Sequence, residues 1–298
     1  MRQVTICLTL VCIAILSCTL SMAAKIKHQA TVYIDGTGLP LKYPEGVACN
    51  GDSFIVADTA NSRAVRYKLS AQGLVSDAVF SVPDHFPIVA QVNTRGTIYL
   101  LDGKKRQIDI VNSSGHLKGL LELKGIPGSQ NVQLRTFKID SRDNFYLLDI
   151  FSRRVLILDS EGVFQRQIDF PATVSFVSDL AVTSQGIVYL LDSVAGGIYR
   201  TDSGIDNFSL LTDQLKDVLN FPVGIALDSR GDIYLSDQYG SGLVQLSRDG
   251  SFKGRKFGMG WEDGQFYYPA QLCIDSQDNL VIADRNNSRV QVFNILNE

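Results

Sequence analysis

The chain has 298 residues, 45% hydrophobic and 20% charged, with 25 Gly and 8 Pro, which excludes a disordered, collagen-like or low-complexity protein and leaves a globular one. Twenty-eight Lys and Arg against 31 Asp and Glu give a net charge of -3, too balanced for a chain-wide attraction to nucleic acid or acidic lipid.

The first 24 residues carry a single charge, Arg2, followed by an almost wholly apolar run from Val4 to Leu16. This is the pattern of a secretory signal, so residues 1–23 read as a signal peptide, and export to the periplasm, cell envelope or extracellular space is expected. Two processing readings compete. Ser21-Met22-Ala23 places small residues where signal peptidase needs them to cut before Ala24, whereas Ile15-Leu16-Ser17-Cys18 resembles a bacterial lipobox and would put lipid on Cys18. A retained anchor is the third reading, opposed by Lys25 and Lys27 behind the apolar run. Membrane contact is expected only through this segment. Its removal takes Cys7, Cys12 and Cys18 and leaves Cys49 and Cys273, too few for a disulfide scaffold.

Beyond it, an apolar run closed by Asp recurs six times: FIVAD (54–58), IYLLD (98–102), FYLLD (145–149), VYLLD (188–192), IYLSD (233–237) and LVIAD (280–284). Each run follows a strand-like segment and a polar turn, as in VGIALDSRGD, and precedes a third strand such as RVLILDSEG; VFQRQIDF and SFKGRKF alternate as fourth, outer strands should. Four strands in about 45 residues, with no helical pattern between them, predict a propeller blade. The fold class is therefore all-β: a six-bladed β-propeller of four-stranded antiparallel blades over residues 28–298. The last repeat ends at its third strand, RVQVF (289–293). Residues 28–36, HQATVYIDG, are expected to supply the missing outer strand of blade six and close the ring.

YPEGVACNGDSFIVADTANSRAVRYK and FGMGWEDGQFYYPAQLCIDSQDNLVIADRNNSRVQVF resemble NHL repeats, which run Pro-x-Gly-Ile-Ala-Val-Asp, strand, Ala-Asp, Asn-x-Arg, strand. The resemblance spans residues 43 to 293, strongest in blades one and six. Blades four and five have Gly197 and Gly242 where the repeat has Arg, and blade two offers Arg106 one residue early.

Residues repeated in every blade read as structure. Asp58, Asp102, Asp149, Asp192, Asp237 and Asp284 are expected to accept backbone N–H groups in the loop between second and third strands. Arg63, Arg154 and Arg289, five residues further on, are expected to clamp those carboxylates in bidentate fashion. Aligned on Pro44 and Pro269, Cys49 and Cys273 fall on opposite faces of neighbouring blades, which permits a disulfide across the closing seam or two buried free thiols.

Catalytic propellers that the chain resembles hold metal in the channel: amidating lyases through histidines, gluconolactonase-like rings through Glu, Asn and Asp. Of the three histidines, His28, His116 and His85, only His85 is placed to face the channel mouth, too few for a His-rich metal site. The starts of the innermost strands offer Glu45, Val89, Thr136, Asp179, Gly224 and Gln271, with two acids for an ion that wants six to eight oxygens. No metal, cofactor or reaction is expected, and the chain reads as no enzyme, with a metal-dependent lyase or lactonase using Glu45, Asp179 and His85 as the rival.

Binding is expected on the face where entering loops and second-to-third-strand loops meet. Lys104, Lys105, Arg106, Arg153 and Arg154 gather there beside Arg135, opposite Asp213, Asp217, Glu262 and Asp263. Trp261, the only Trp, lies in the longest entering loop and reads as an anchor, whereas Tyr43 and Tyr268 occupy a position where the repeat pattern itself has an aromatic. The expected function is an exported, non-catalytic binding or assembly module recognising protein or glycan. Some cytoplasmic NHL propellers bind RNA, but export and the mature chain's acidity make nucleic acid an unexpected partner.

Overall fold

The computed structural model describes residues 23–70, 73–112 and 114–296; the expected signal segment up to Met22, including Cys18, lies outside them. Blade one is β2 (Pro44–Asn50), β3 (Ser53–Asp58), β4 (Arg63–Ser70) and β5 (Gly73–Ser81). Blade two is β6 (Pro87–Val92), β7 (Ile98–Asp102), β8 (Ile108–Val111) and β9 (Leu117–Leu120). Blade three is β10 (Leu134–Ile139), β11 (Phe145–Asp149), β12 (Arg154–Leu158) and β13 (Phe164–Asp169). Blade four is β14 (Val177–Val182), β15 (Val188–Asp192), β16 (Gly197–Thr201) and β17 (Phe208–Thr212). Blade five is β18 (Pro222–Leu227), β19 (Ile233–Asp237), β20 (Gly242–Leu246) and β21 (Phe252–Lys256). Blade six is β22 (Pro269–Ile274), β23 (Asn279–Asp284) and β24 (Arg289–Leu296), completed by β1 (Lys25–Val32).

The runs ending in Asp are uninterrupted apolar rather than alternating because each blade is covered on both faces by its neighbours. All five residues of β7, β11, β15 and β19 are buried, whereas outer strand β5 alternates towards solvent. Six buried clusters fill the six seams; at the closing seam Val47, Val56 and Val65 pack against Val281, Ala283 and Val292. At the seam between blades one and two Gly46 is required: a Cβ would stand 2.8 Å from the backbone of Val89 and Ala90.

The ring closes as the repeat arithmetic implies, but the closing strand is Lys25–Val32 rather than residues 28–36, because its pairing with β24 starts at Lys25 and ends at Val32. β1 pairs antiparallel with β24 from Lys25 opposite Leu296 to Val32 opposite Val290. Cys49 of β2 and Cys273 of β22 form a disulfide with Cα atoms 5.7 Å apart, joining the two innermost strands of that seam. Beyond β1, Asp35 receives Arg63 Nη1 at 2.5 Å and hydrogen bonds from Thr37 and Leu39. Burial alone would raise the Asp35 carboxyl, but those bonds outweigh it and hold it at about 2.

The repeated carboxylates correct the expectation about their donors. Each accepts an N–H from the loop that enters its own blade: Lys42 to Asp58 (2.6 Å), Phe86 to Asp102 (3.0 Å), Gln133 to Asp149 (3.0 Å), Phe176 to Asp192 (3.1 Å), Phe221 to Asp237 (2.8 Å) and Tyr267 to Asp284 (2.8 Å). Asp102, Asp149 and Asp192 also accept backbone N–H groups of their own turn, and Asp58 and Asp284 accept the side-chain amides of Asn61 and Asn287 there. The arginines are likewise not bidentate. Arg63, Arg154 and Arg289 each give Nε to one carboxylate oxygen, at 2.6, 3.1 and 2.6 Å, and spend their terminal nitrogens on other groups. Arg289 thereby holds the carbonyls of Trp261, Glu262 and Gln265. In blade five, where Gly242 replaces the Arg, Arg255 of the outer strand reaches Asp237 at 2.7 Å.

Two measurements test this closure. Scanning calorimetry of the Cys49→Ser/Cys273→Ser variant should show a loss of about 2–5 kcal/mol, a melting temperature lower by roughly 5–10 °C; an unchanged melt would mean the disulfide is not formed. The Asp35 carboxyl titrates lower folded than unfolded, so its contribution is present above the ordinary value of 3.8 and is lost as pH falls through about 2. Roughly 2 kcal/mol of acid-sensitive stability follows, and Asp35→Asn should flatten the acid arm of a pH–denaturation series over that window.

Candidate functional site

A polar plug divides the channel. Asp179 of β14, fully buried, accepts from Thr136 Oγ1 at 3.3 Å, from Lys138 Nζ at 3.5 Å and from the Ile225 N–H at 3.1 Å. Burial drives its carboxyl upward, opposed by Lys138. Gln271 donates to Thr136 at 3.2 Å and leaves its Oε1 buried without a hydrogen-bond partner. These residues do not fit the channel calcium that the resemblance to gluconolactonase-like rings suggests. Lys138 already stands against Asp179, Glu45 is paired with Arg285 at 3.0 Å, and Val89 and Gly224 bring no side-chain oxygen. Asp179 also lies below the surface, so it presents nothing to a ligand at the mouth.

Above the plug, a pocket of about 70 Å³ is lined by Glu45, Arg135, Thr136, Ser178, Gln238 and Gln271 among others. Arg135 of β10 opens into it. Among the described residues its guanidinium has no hydrogen-bond or ion-pair partner and lies over the Phe176 ring at 5.9 Å. Desolvation, reinforced by the nearby Arg106 charge, lowers its pKa. A part-buried cation held only by a ring face is a strong attractor for an anion.

Beside it runs an arc of rings across blades four to six. Phe176 stacks on Phe221 at 6.4 Å, Phe221 on Tyr239 at 5.0 Å, Tyr239 meets Tyr268 edge-on at 5.6 Å, and Tyr268 meets Tyr267 at 5.3 Å. Tyr43 continues it with its ring over Arg285, 5.5 Å away. Tyr43, Phe86, Phe176, Phe221 and Tyr268 all immediately precede an innermost strand. That repeated position was readable as structural; what the sequence hid is that Tyr43 and Phe176 stay exposed and that Tyr239, from a different loop, bridges two of these rings.

The expected basic cluster is largely engaged. Arg154 is buried on Asp149, Arg153 donates to the Pro171 and Val174 carbonyls, and Arg106, in a left-handed conformation (φ 58°), reaches the Leu134 carbonyl rather than Asp102. Lys104 covers the Phe86 ring at 4.7 Å. Lys105 is 3.2 Å from His85 Nε2. His85 itself is not at the channel mouth: it turns between the second and third strands of blade two, with Nδ1 2.5 Å from Asp109 and 3.6 Å from Asp102. On the opposite arc Asp213, Asp217 and Glu262 are exposed, and Asp263 accepts from Thr31. Trp261 is 75% exposed, on a loop that Arg289 fixes by its carbonyls.

The other mouth opens into a larger cavity of about 700 Å³. Its acids are spent locally: Asp228 and Asp275 accept the N–H groups of their own turns, at Arg230 and Asp232 and at Gln277 and Asn279. The disulfide forms part of its wall.

The family model for the NHL repeat matches residues 266–293, within the blade where the pattern is most complete; the chain is a six-bladed β-propeller carrying this repeat. No curated protein matches it by sequence. Solved structures share the ring: virginiamycin B lyase from Staphylococcus aureus (12% identity, 91% of this chain and 100% of that one, TM-score 0.61) and a gluconolactonase from Xanthomonas campestris (14%, 92% and 97%, 0.64). Hydrazine synthase from Kuenenia stuttgartiensis is also similar (13%, 86% and 83%, 0.58). At this identity the likeness establishes the fold. It also corrects the expectation that the chain is no enzyme, since rings of this architecture, matched over nearly their whole length, include a lyase and a lactonase.

Because Trp261 is the sole Trp and already exposed in the folded chain, its fluorescence should be quenched by acrylamide almost as strongly before as after unfolding. A folded protein with a shielded, blue-shifted Trp would show that the loop packs differently.

Proposed function

We propose that the protein is exported and binds an acidic glycan at the mouth formed by Arg135 and the aromatic arc. The observation that carries this reading is Arg135: a part-buried guanidinium, without an ion-pair partner among the described residues, opening into a pocket that admits a single carboxylate-sized group. A uronate carboxylate would pair with it bidentately, as guanidinium geometry favours. The sugar rings would lie along Phe176, Tyr239 and Tyr43, and Gln238 offers hydrogen bonds to hydroxyl groups. Such a mix of apolar ring surface and a few convergent polar groups is what small-ligand sites present. Export is supported by two independent features: the apolar N-terminal run and the Cys49–Cys273 disulfide, a bond that persists in oxidising compartments.

Calorimetric titration with uronate oligosaccharides, their neutral carboxyl-reduced counterparts and acidic peptides tests the reading. Uronate oligomers should bind, the neutral ones at least 10-fold more weakly, and Arg135→Ala should lose at least 10-fold in affinity with an equal or higher melting temperature, because it removes an unpaired buried charge. Uronate binding that ignores Arg135→Ala would sink the proposal, and binding of acidic peptides alone would replace glycan by protein. Mass spectrometry of the same mixtures reads out cleavage or elimination, the chemistry that the lyase and lactonase rings make worth testing.

A further inference from the structure

Each blade must stabilise the buried carboxylate that ends its second strand, and blade two does so differently. Blades one, three and six use an arginine five residues on, and blade five borrows Arg255. Blade four surrounds Asp192 with the N–H groups of Ser175, Phe176, Val194 and Ala195. Blade two has no arginine on Asp102 and instead adds a second buried acid. Asp109 of β8 occupies the position held by Val65, Leu156, Tyr199, Val244 and Gln291 in the other blades.

The side chains of Asp102 and Asp109 are each only 1% exposed, and that of His85 is 12% exposed. One ligand atom from each lies within 4.8 Å of the other two, the only such His/Asp grouping among the described residues. Lys105 can only donate, so His85 Nε2 accepts from it and the ring proton sits on Nδ1, aimed at Asp109. Asp109 Oδ1 is buried and has no hydrogen-bond partner, a cost that an ion bound there would remove.

We propose that His85, Asp102 and Asp109 form a binding site for a divalent transition-metal ion on blade two, separate from the channel and from the ligand mouth. One imidazole and two carboxylates suit zinc-like ions better than calcium. With metal–ligand bonds of 2.0–2.2 Å, the ligand atoms of a tetrahedral site stand about 3.3–3.6 Å apart. Nδ1 and Asp102 are already 3.6 Å apart, and Asp109 must withdraw by about 1 Å from its 2.5 Å contact. Asp102 is held by the N–H groups of Phe86, Lys104 and Lys105, so it serves as an oriented ligand. On binding, the ring proton moves from Nδ1 to Nε2, and the exposed Lys105 side chain swings away because two donors cannot face each other. Lys105 is therefore a competitor of the metal.

The test is calorimetric titration of chelator-treated protein with Zn²⁺, with Co²⁺ absorption as a second readout. Wild type should bind one ion, His85→Asn and Asp109→Asn should each weaken binding at least 10-fold, and Lys105→Gln should strengthen it several-fold. Co²⁺ should give the weak visible bands of nitrogen and oxygen ligation without an intense thiolate band. Absence of binding, binding unaffected by His85→Asn and Asp109→Asn, or a thiolate spectrum would each overturn the proposal. The gain in Lys105→Gln, an exposed side chain whose loss leaves the backbone bonds to Asp102 in place, keeps the test decisive even if the other variants fold poorly.

Discussion

The bond on which this ring depends joins a buried aspartate at the end of each second strand to an N–H of the loop that brings the chain into the same blade. It fixes that loop over its own sheet, and the innermost strand then starts at one height around the ring. A buried carboxylate is costly unless its oxygens are saturated, so each blade must also find partners for the rest of the charge. Arginine from the third strand, arginine from the outer strand, and in blades two and four several backbone amides are three answers to that one requirement. The geometry recurs faithfully while the residues that satisfy it diverge, which is why the NHL pattern is crisp in blades one and six and faint between them.

The ring was legible because its period is local. Six Asp-terminated runs, the turns before them and the missing last strand are all read along the chain, and they sufficed for blade number, strand order and the clasp from β1. What lay beyond reach depends on contacts between segments that no period relates. Arg255 on Asp237 is a cross-strand substitution with no marker in its own blade's repeat. Nothing in the repeat marks Asp109 as the partner of His85, which local sequence had directed to the channel. The disulfide stood between: spacing put the cysteines on opposite faces of neighbouring blades, pointing either into the shared seam or away from it, and only their 5.7 Å Cα separation decided the matter.

The same distinction separates the two charged groups at the ring's centre. Asp179 and Arg135 are both inner-strand residues with strained ionisation, yet Asp179 is answered from within by Lys138 and Thr136, whereas Arg135 is answered only by a ring face. A satisfied buried charge is architecture; an unsatisfied one at an open mouth is a demand on a ligand. Much of the cationic surface that looked available in sequence, Arg106, Arg153 and Arg154, turns out to be holding carbonyls and carboxylates in place, and so contributes shape more than charge.

The pairing of β1 with β24 sets how the molecule answers to force. Lys25 and Leu296 lie opposite each other at one end of that antiparallel ladder, so tension applied between them opens the clasp one rung at a time rather than shearing all rungs together. Once the clasp is open, the load passes to the seam between blades one and six, where the covalent link between Cys49 and Cys273 blocks further separation of the inner strands. The ring is thus built to yield at its rim and hold at its hub, a mechanical fuse in which the outer blade edge gives way while the plugged channel and the mouth above it keep their shape.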